Sequence, residues 1–287
     1  GDNMFRQCTN LEKIILPDNS TEIGNNTFYS CLELDTVTIG ANVVSVGNSS
    51  FNNCLDLDSI SIGKSVASIG EKAFYNCSNL QSIVIPDQTT ILNEYAFVGC
   101  SSLTSIVLGD GLEEIGDAAF ADCSSLASID IPNNVTSIGN NTFQRCSALI
   151  SVTISDRITS IGEYVFSGCT SLTSATIGNG VSKIPLGTFD GCSNLHTAII
   201  GTGITSIATR SFRDCSSLTN INIPNRVTMI EDNAFENCSS LAIINLPKGV
   251  VSIGSYAFKG CASLTTITIP NATRITTGLF YDCSSLK

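Results

Sequence analysis

The chain is 287 residues long, with 43% hydrophobic residues, only 14% charged residues and a formal net charge of -11. This acidic balance argues against a nucleic-acid partner, because binding to phosphates needs a basic face. No run of about 18 apolar residues occurs, so we expect no membrane-spanning helix in this segment.

Cysteine, phenylalanine and leucine recur along the chain at a fixed step. The thirteen cysteines run from Cys8 to Cys283, with eleven intervals of 23 residues and a last interval of 22. Each cysteine lies three residues after a phenylalanine and three residues before a leucine. A fixed period of this length predicts a solenoid in which each repeat forms one coil. We therefore expect residues 1–287 to form a single domain of about twelve coils. Both ends fall inside a repeat, so we also expect the natural protein to be longer than this sequence.

Each repeat predicts the same elements in the same order, when its cysteine is numbered position 1. Positions 6 to 9 alternate between polar and apolar residues, as in residues 105–108, which is typical of a strand with one buried face. Position 10 is proline or glycine in every full repeat except at Ser155, and it turns the chain. Positions 13 to 16, as in residues 135–138, predict a second short strand. The pattern that follows, x-x-Ala-Phe-x-x-Cys, has helical spacing but is long enough only for a brief helical turn.

The repeating phenylalanines, cysteines and leucines are the predicted core, stacked as internal columns along the solenoid. In two central repeats these residues are Phe120, Cys123, Leu126, Phe143, Cys146 and Leu149. Stacking brings neighbouring cysteines within disulfide range, but burial between apolar columns favours free thiols. A zinc site needs cysteines two to four residues apart or nearby histidines, and the chain has only His196. The sequence therefore predicts no metal and no cofactor.

The repeat resembles the leucine-rich repeat of the BspA-like type. The likeness is carried by Cys123-Ser124-Ser125-Leu126, Ile129-Asp130-Ile131-Pro132, Val135, Ile138-Gly139 and Phe143, and it extends over essentially the whole chain. The resemblance implies a β-rich α/β repeat solenoid, a right-handed, curved horseshoe or rod. It also implies a surface or secreted protein of a bacterium or protist, with adhesion to matrix proteins, to other cells or to its own kind. The family supplies no residue-level binding motif.

The exposed side of the first strands is the predicted binding surface. Positions 6 and 8 point outward there, and most are small and uncharged. The candidate residues are Thr36, Thr38, Ser59, Ser61, Ser151, Thr153, Ser174, Thr176, Thr197, Ile199, Asn220 and Asn222. One interpretation is a solvated sheet surface, and the other is a multivalent contact surface of weak repeated interactions. Residues 175–213 are the least regular part, with alanine at position 7 in two consecutive repeats, and are the first place to look for a specific contact. The six tyrosines lie at coil corners and are not expected to form a patch.

Two functions remain open at this stage. The first is a non-enzymatic adhesin that binds extracellular matrix or cell-surface proteins. The second is a spacer or a self-associating rod that stacks head to tail and presents another domain. An ice-binding surface, suggested by the Thr-x-Thr motif at Thr36 and Thr38, is interrupted by Val84 and Val107. An enzyme has little support, because no catalytic arrangement can be built around His196.

Overall fold

The strands of this chain are two to four residues long and pair in parallel with their equivalents in neighbouring repeats. The computed structural model describes residues 1–270 and 273–287. It divides into two compact units, Gly1–Ser147 (unit 1) and Ala148–Lys287 (unit 2). The strands define a parallel-strand solenoid of about ten coils of about 23 residues, which confirms the predicted fold class with slightly fewer coils than expected.

Unit 1 contains first strands, at positions 6 to 8 of a repeat, and second strands, at positions 15 and 16. They are β1 (Lys13–Ile15), β2 (Glu22–Ile23), β3 (Thr36–Thr38), β4 (Ser45–Val46), β5 (Ser59–Ser61), β6 (Ser68–Ile69), β7 (Ser82–Val84), β8 (Ile91–Leu92), β9 (Ser105–Val107), β10 (Glu114–Ile115) and β11 (Ser137–Ile138). The first strands pair in the order β1-β3-β5-β7-β9. The second strands pair in the order β2-β4-β6-β8-β10-β11. The two predicted strand types are thus confirmed, although residues 128–131 form no strand.

Unit 2 repeats this arrangement. Its strands are β12 (Ser151–Ile154), β13 (Ser160–Ile161), β14 (Ser174–Ile177), β15 (Lys183–Ile184), β16 (Thr197–Ile200), β17 (Ser206–Ile207), β18 (Asn220–Asn222), β19 (Met229–Ile230), β20 (Ile243–Asn245) and β21 (Ser252–Ile253). First strands form a three-stranded sheet, β12-β14-β16, and a pair, β18-β20. Second strands form the sheet β15-β17-β19-β21. Within each first strand the position-7 residue is buried and its two neighbours face outward, as the alternation in the sequence requires.

The third side of each coil, here called the turn segment, covers positions 17 to 23 and contains no helix in residues 1–270 and 273–287. Two residues of each turn segment, four apart, have positive φ, for example Asn141 (54°) and Arg145 (58°). A left-handed residue ends a right-handed helix, so the brief helical turns expected from the spacing do not form. Backbone amides instead donate to the next coil, as Phe97 does to the carbonyl of Ala119 at 2.8 Å.

The phenylalanines form a stacked ladder in each unit. Neighbouring rings lie 5.1 to 5.8 Å apart between centroids, with interplanar angles of 2° to 23°. The predicted core residues Phe120, Cys123, Leu126, Phe143, Cys146 and Leu149 are all 0% exposed, which confirms their assignment. The centroid spacing follows from the parallel pairing, because one coil advances the chain by about one strand separation.

The cysteines form a second internal column and do more than fill space. The thiol of Cys123 donates to the backbone carbonyl of Phe97 at 3.2 Å, and the carbonyl of Phe97 also accepts from the amide of Cys100 at 3.2 Å. The same bond, at 3.0 to 3.2 Å, joins other cysteines to the phenylalanine one coil earlier. In these coils the thiol is a second donor to a buried carbonyl and still has the small apolar volume of the cysteine side chain.

Native thiol labelling should separate the end cysteines from the internal ones. The thiol of Cys8 is exposed and that of Cys283 is half-buried, whereas those from Cys31 to Cys261 are buried. We expect a disulfide reagent to modify Cys8 rapidly and Cys283 more slowly, and to reach the others only in denaturant. A Cys8→Ser variant should lose the rapid phase. Rapid modification of Cys123 in the folded chain would contradict the buried column.

Candidate binding surface

The first-strand face, defined here as the side chains at positions 6 and 8 of the first strands, is a set of aligned rows in unit 1. Thr36 lies opposite Ser59, and Thr38 lies opposite Ser61. Thr38, Ser59 and Ser61 are exposed, and Thr36 is half-buried. In a parallel sheet these rows run perpendicular to the strands at a spacing of about 4.8 Å. The predicted residues of unit 1 therefore form one surface.

Two valines make this face less polar than the sequence suggested. Val84 on β7 lies opposite Val107 on β9, and their exposed fractions are 59% and 54%. Cross-strand neighbours on one face of a sheet contact each other, so these side chains form a single apolar cluster. Ser82 and Ser105, also opposite each other, border the cluster. Exposed aliphatic side chains that are contiguous, unlike scattered ones, mark a candidate interaction site.

The first-strand face of unit 2 has the same organisation. Ser151, Ser174 and Thr197 form one row, and Thr153, Thr176 and Ile199 form the next. All of these side chains are exposed except that of Thr176, which is half-buried, and Ile199 is 58% exposed. On the neighbouring pair of strands, Asn220 lies opposite Ile243 and Asn222 opposite Asn245. Ile243 is 57% exposed, so unit 2 also combines amide and hydroxyl groups with isolated aliphatic side chains.

The irregular stretch around residues 175–213 keeps its strand pairing. Ala175 and Ala198 are buried and lie opposite each other, within strands that are paired over four residues. Gly187, with φ of 62°, departs from the sequence pattern because the ring of Tyr164 fills the space that its Cβ would occupy. The stretch is therefore a local repacking of the coil, and the small core residues do not interrupt the exposed rows.

Other features offer no chemistry in the described part of the chain. His196 is exposed, and its Nδ1 lies 2.6 Å from the carbonyl oxygen of Asn194. Among residues 1–270 and 273–287, no three histidine, cysteine or acidic side chains are grouped to hold a metal ion. None of the described segments is a helix long and apolar enough to cross a membrane. The first-strand face carries the predicted contact residues and is the candidate surface for binding another molecule.

Comparison with known proteins gives a consistent picture. The model of the BspA type leucine rich repeat region matches residues 1–126, 67–196 and 159–287, so the matches together cover the chain. No curated protein matches this sequence.

Three solved structures are similar to this chain. A leucine rich cell surface protein from Faecalibacterium prausnitzii A2-165 is 30% identical, with a TM-score of 0.58 over 93% of this chain and 81% of that one. A leucine-rich repeat protein from Bacteroides ovatus is 27% identical, with a TM-score of 0.63 over 100% of this chain and 86% of that one. A leucine-rich repeat protein from Eubacterium ventriosum, at 23% identity and a TM-score of 0.56 over 87% and 82%, supports the fold alone.

Proposed function

Because the chain belongs to the BspA type leucine-rich repeat family, we propose that it is a non-enzymatic scaffold for protein interaction that mediates adhesion at the cell surface or after secretion. Leucine-rich repeat proteins generally bind proteins, and one similar structure is described as a cell surface protein. The proposed partners are extracellular matrix or cell-surface proteins. Residues 1–287 are proposed to act as one repeat domain.

The observation that carries this proposal is the apolar cluster of Val84 and Val107 on the first-strand face. Both side chains are more than half exposed although each could be serine or threonine, as at Ser61 and Thr38 in the same row. A partner that covered the exposed half of each valine would gain about 1 kcal/mol for each side chain. Ser82 and Ser105 border the cluster, so an apolar centre lies beside polar side chains, as in protein interfaces.

Affinity in this proposal arises from repetition. Each coil contributes one pair of side chains at positions 6 and 8, and the rows place these pairs in register. Thr36, Thr38, Ser59 and Ser61 in unit 1 extend the surface beyond the two valines. In unit 2 the proposed contact residues are Ser151, Thr153, Ser174, Thr176, Thr197, Ile199, Asn220 and Asn222. Many weak contacts made together give appreciable avidity without a single strong site.

Polar replacement of the two valines tests this function. We expect Val84→Ser combined with Val107→Ser to weaken binding of the chain to a panel of immobilised matrix proteins at least about tenfold, since the apolar centre is lost. The matched control is Val44→Ser, because Val44 is 51% exposed in unit 1 but lies outside the first strands. Circular dichroism should show that all variants keep the fold. Equal binding by the valine variant and the parent chain would contradict the proposed surface.

Two further measurements separate this function from the spacer or self-associating rod. Protease treatment of intact source cells should remove the chain, whereas an intracellular protein survives until lysis. Light scattering against concentration should show no growth of large assemblies if the chain is an adhesin. Concentration-dependent assembly together with no binding to any matrix protein would favour the rod.

A further inference from the structure

A groove with a volume of about 400 Å³ opens on the turn segments of unit 1, away from the first strands. Tyr75 and Tyr95 border it on one side, and Gln144 and Arg145 border it on the other. Both tyrosines are half-buried, so part of each ring faces the groove. Two of the six tyrosines, which were not expected to form a patch, therefore line one groove. The volume lies within the range of about 300 to 1,000 Å³ that is typical of small-molecule sites.

The groove exists because one coil carries no large side chain on this side. Ala118 and Ala121 occupy positions 19 and 22 of their repeat, where the preceding repeat has Tyr95 and Val98 and the following one has Asn141 and Gln144. The exposed fractions of the two alanines are 7% and 4%, so their methyl groups form a floor beneath taller neighbours. The coil with the two alanines therefore lacks one layer of large side chains. The spacing between adjacent coils is about 5.5 Å, as measured between the Phe97 and Phe120 ring centroids.

The polar groups around this floor offer both donors and acceptors. Arg145 donates to both carboxylate oxygens of Asp122, at 2.5 and 2.7 Å, so the pair presents a planar edge. The side-chain amide of Gln144 forms no hydrogen bond within the described residues. The Lys72 ammonium lies 5.0 Å from the centre of the Tyr95 ring and 2.6 Å from a carboxylate oxygen of Glu71.

The charges of the groove cancel in pairs. Lys72 is matched by Glu71, and Arg145 is matched by Asp122, each at hydrogen-bonding distance. An anionic or cationic ligand has to compete with these internal partners, whereas a neutral ligand can use the remaining donors and acceptors without separating the pairs. The site thus combines apolar ring surface, amide groups and a neutral charge balance.

We propose that this groove binds a neutral carbohydrate through one pyranose ring. The C–H face of a pyranose packs on the tyrosine rings and the alanine methyls, which are apolar. Its hydroxyl groups act as donor and acceptor at once, and so match the Gln144 amide and the edge of the Asp122–Arg145 pair. A side chain of a protein ligand could pack on the two alanines. The backbone of that ligand would then bring amide groups into an open groove that offers few hydrogen-bond partners for them.

Saturation-transfer NMR with the methyl glycosides of glucose, galactose, mannose and N-acetylglucosamine tests the site. We expect at least one glycoside to receive saturation from the chain. Ala121→Gln, which copies the residue at the same position of the next repeat, fills the groove and should weaken that binding at least about tenfold. Tyr95→Ala, which removes a wall, should weaken it similarly. The matched control is Tyr164→Ala, which removes a tyrosine from the same repeat position in unit 2 and should bind as the parent chain does.

The outcomes distinguish this inference from the protein-binding function. Val84→Ser with Val107→Ser leaves the groove untouched and should keep glycoside binding whatever happens to adhesion. The proposal is overturned if no glycoside binds, or if binding survives both Ala121→Gln and Tyr95→Ala. If no glycoside binds while Ala121→Gln weakens adhesion to the matrix proteins, the groove is a protein-docking site and the carbohydrate assignment is wrong.

Discussion

Raising the pH from about 8 to about 10 is expected to unfold the chain in a steep transition, because its internal thiols cannot ionise while they remain buried. Burial raises the pKa of Cys100 from the ordinary value of 9.0 to about 12. Burial raises the pKa values of Cys77, Cys123 and Cys215 well above 9.0. Neighbouring thiols in the column raise them further, since two thiolates in adjacent coils repel each other.

The direction of the pH effect follows from proton binding in the two states. In the folded chain these thiols have raised pKa values, so their contribution to stability is fully present below 9.0. Above 9.0 the unfolded chain loses thiol protons and the folded chain keeps them, so the free energy of unfolding falls as pH rises. Each fully buried thiol contributes about 1 kcal/mol of loss by pH 10. The thiols that have raised pKa values and are 0% exposed are Cys31, Cys54, Cys77, Cys100, Cys123, Cys192, Cys215, Cys238 and Cys261.

Together these thiols lower the free energy of unfolding by on the order of 10 kcal/mol at pH 10, which is comparable to the whole stability of an ordinary domain. Urea melts at a series of pH values, followed by circular dichroism, measure the effect. Thiolate absorbance should rise in step with unfolding. A variant with Cys100→Ala and Cys123→Ala has two fewer buried thiols and should show a shallower decline above pH 9. Appearance of thiolate in a chain that keeps its circular dichroism would contradict this account.

The period of the sequence predicts the columns because every coil must bury the same positions. Phe143, Cys146 and Leu149 were assigned to the core from spacing alone, and all three are buried. The second strands also follow from the pattern, since the buried Ile138 alternates with the half-buried Ser137. The spacing of the residues does not predict the backbone conformation of the turn segment. A Phe-x-x-Cys interval is compatible with a helix, and the left-handed residues that prevent the helix are visible only as a preference for asparagine, aspartate and glycine.

Contacts between different coils outside the stacked side-chain columns were harder to predict from the sequence than the columns themselves. The thiol bond from Cys123 reaches a carbonyl 26 residues earlier, and no residue type at that position signals it because every residue has a carbonyl. The groove depends on Tyr75, Tyr95 and Gln144, which are far apart in sequence and become neighbours only through the stacking of coils. A search for small residues at a repeat position where neighbouring repeats carry large ones would have found Ala118 and Ala121. The candidate contact residues on the first-strand face are brought into rows within each unit, while their role in binding stays a prediction.

Truncation of a central ladder phenylalanine is expected to be the most damaging single substitution in the core. Phe97 is 0% exposed, and its ring lies 5.1 Å from that of Phe74 and 5.5 Å from that of Phe120, between centroids. Phe97→Ala removes the buried ring and leaves a cavity that the flanking coils cannot close, because their backbones are hydrogen-bonded to each other. We expect a loss of about 3 to 5 kcal/mol in the free energy of unfolding. Urea melts near neutral pH, where the thiols stay protonated, measure this loss.

Phe5→Ala is the matched control, because Phe5 is half-buried and stacks within 5.3 Å on Phe28. We expect its loss to be less than half of that for Phe97→Ala, since the ring buries less surface. Each coil contacts only its neighbours, so hydrogen exchange in Phe97→Ala should quicken most in the coils that carry Phe74 and Phe120 and least near Phe235. A loss well under 1 kcal/mol, or equal losses for the two variants, would mean that the rings of the ladder do not carry the stability of the coils.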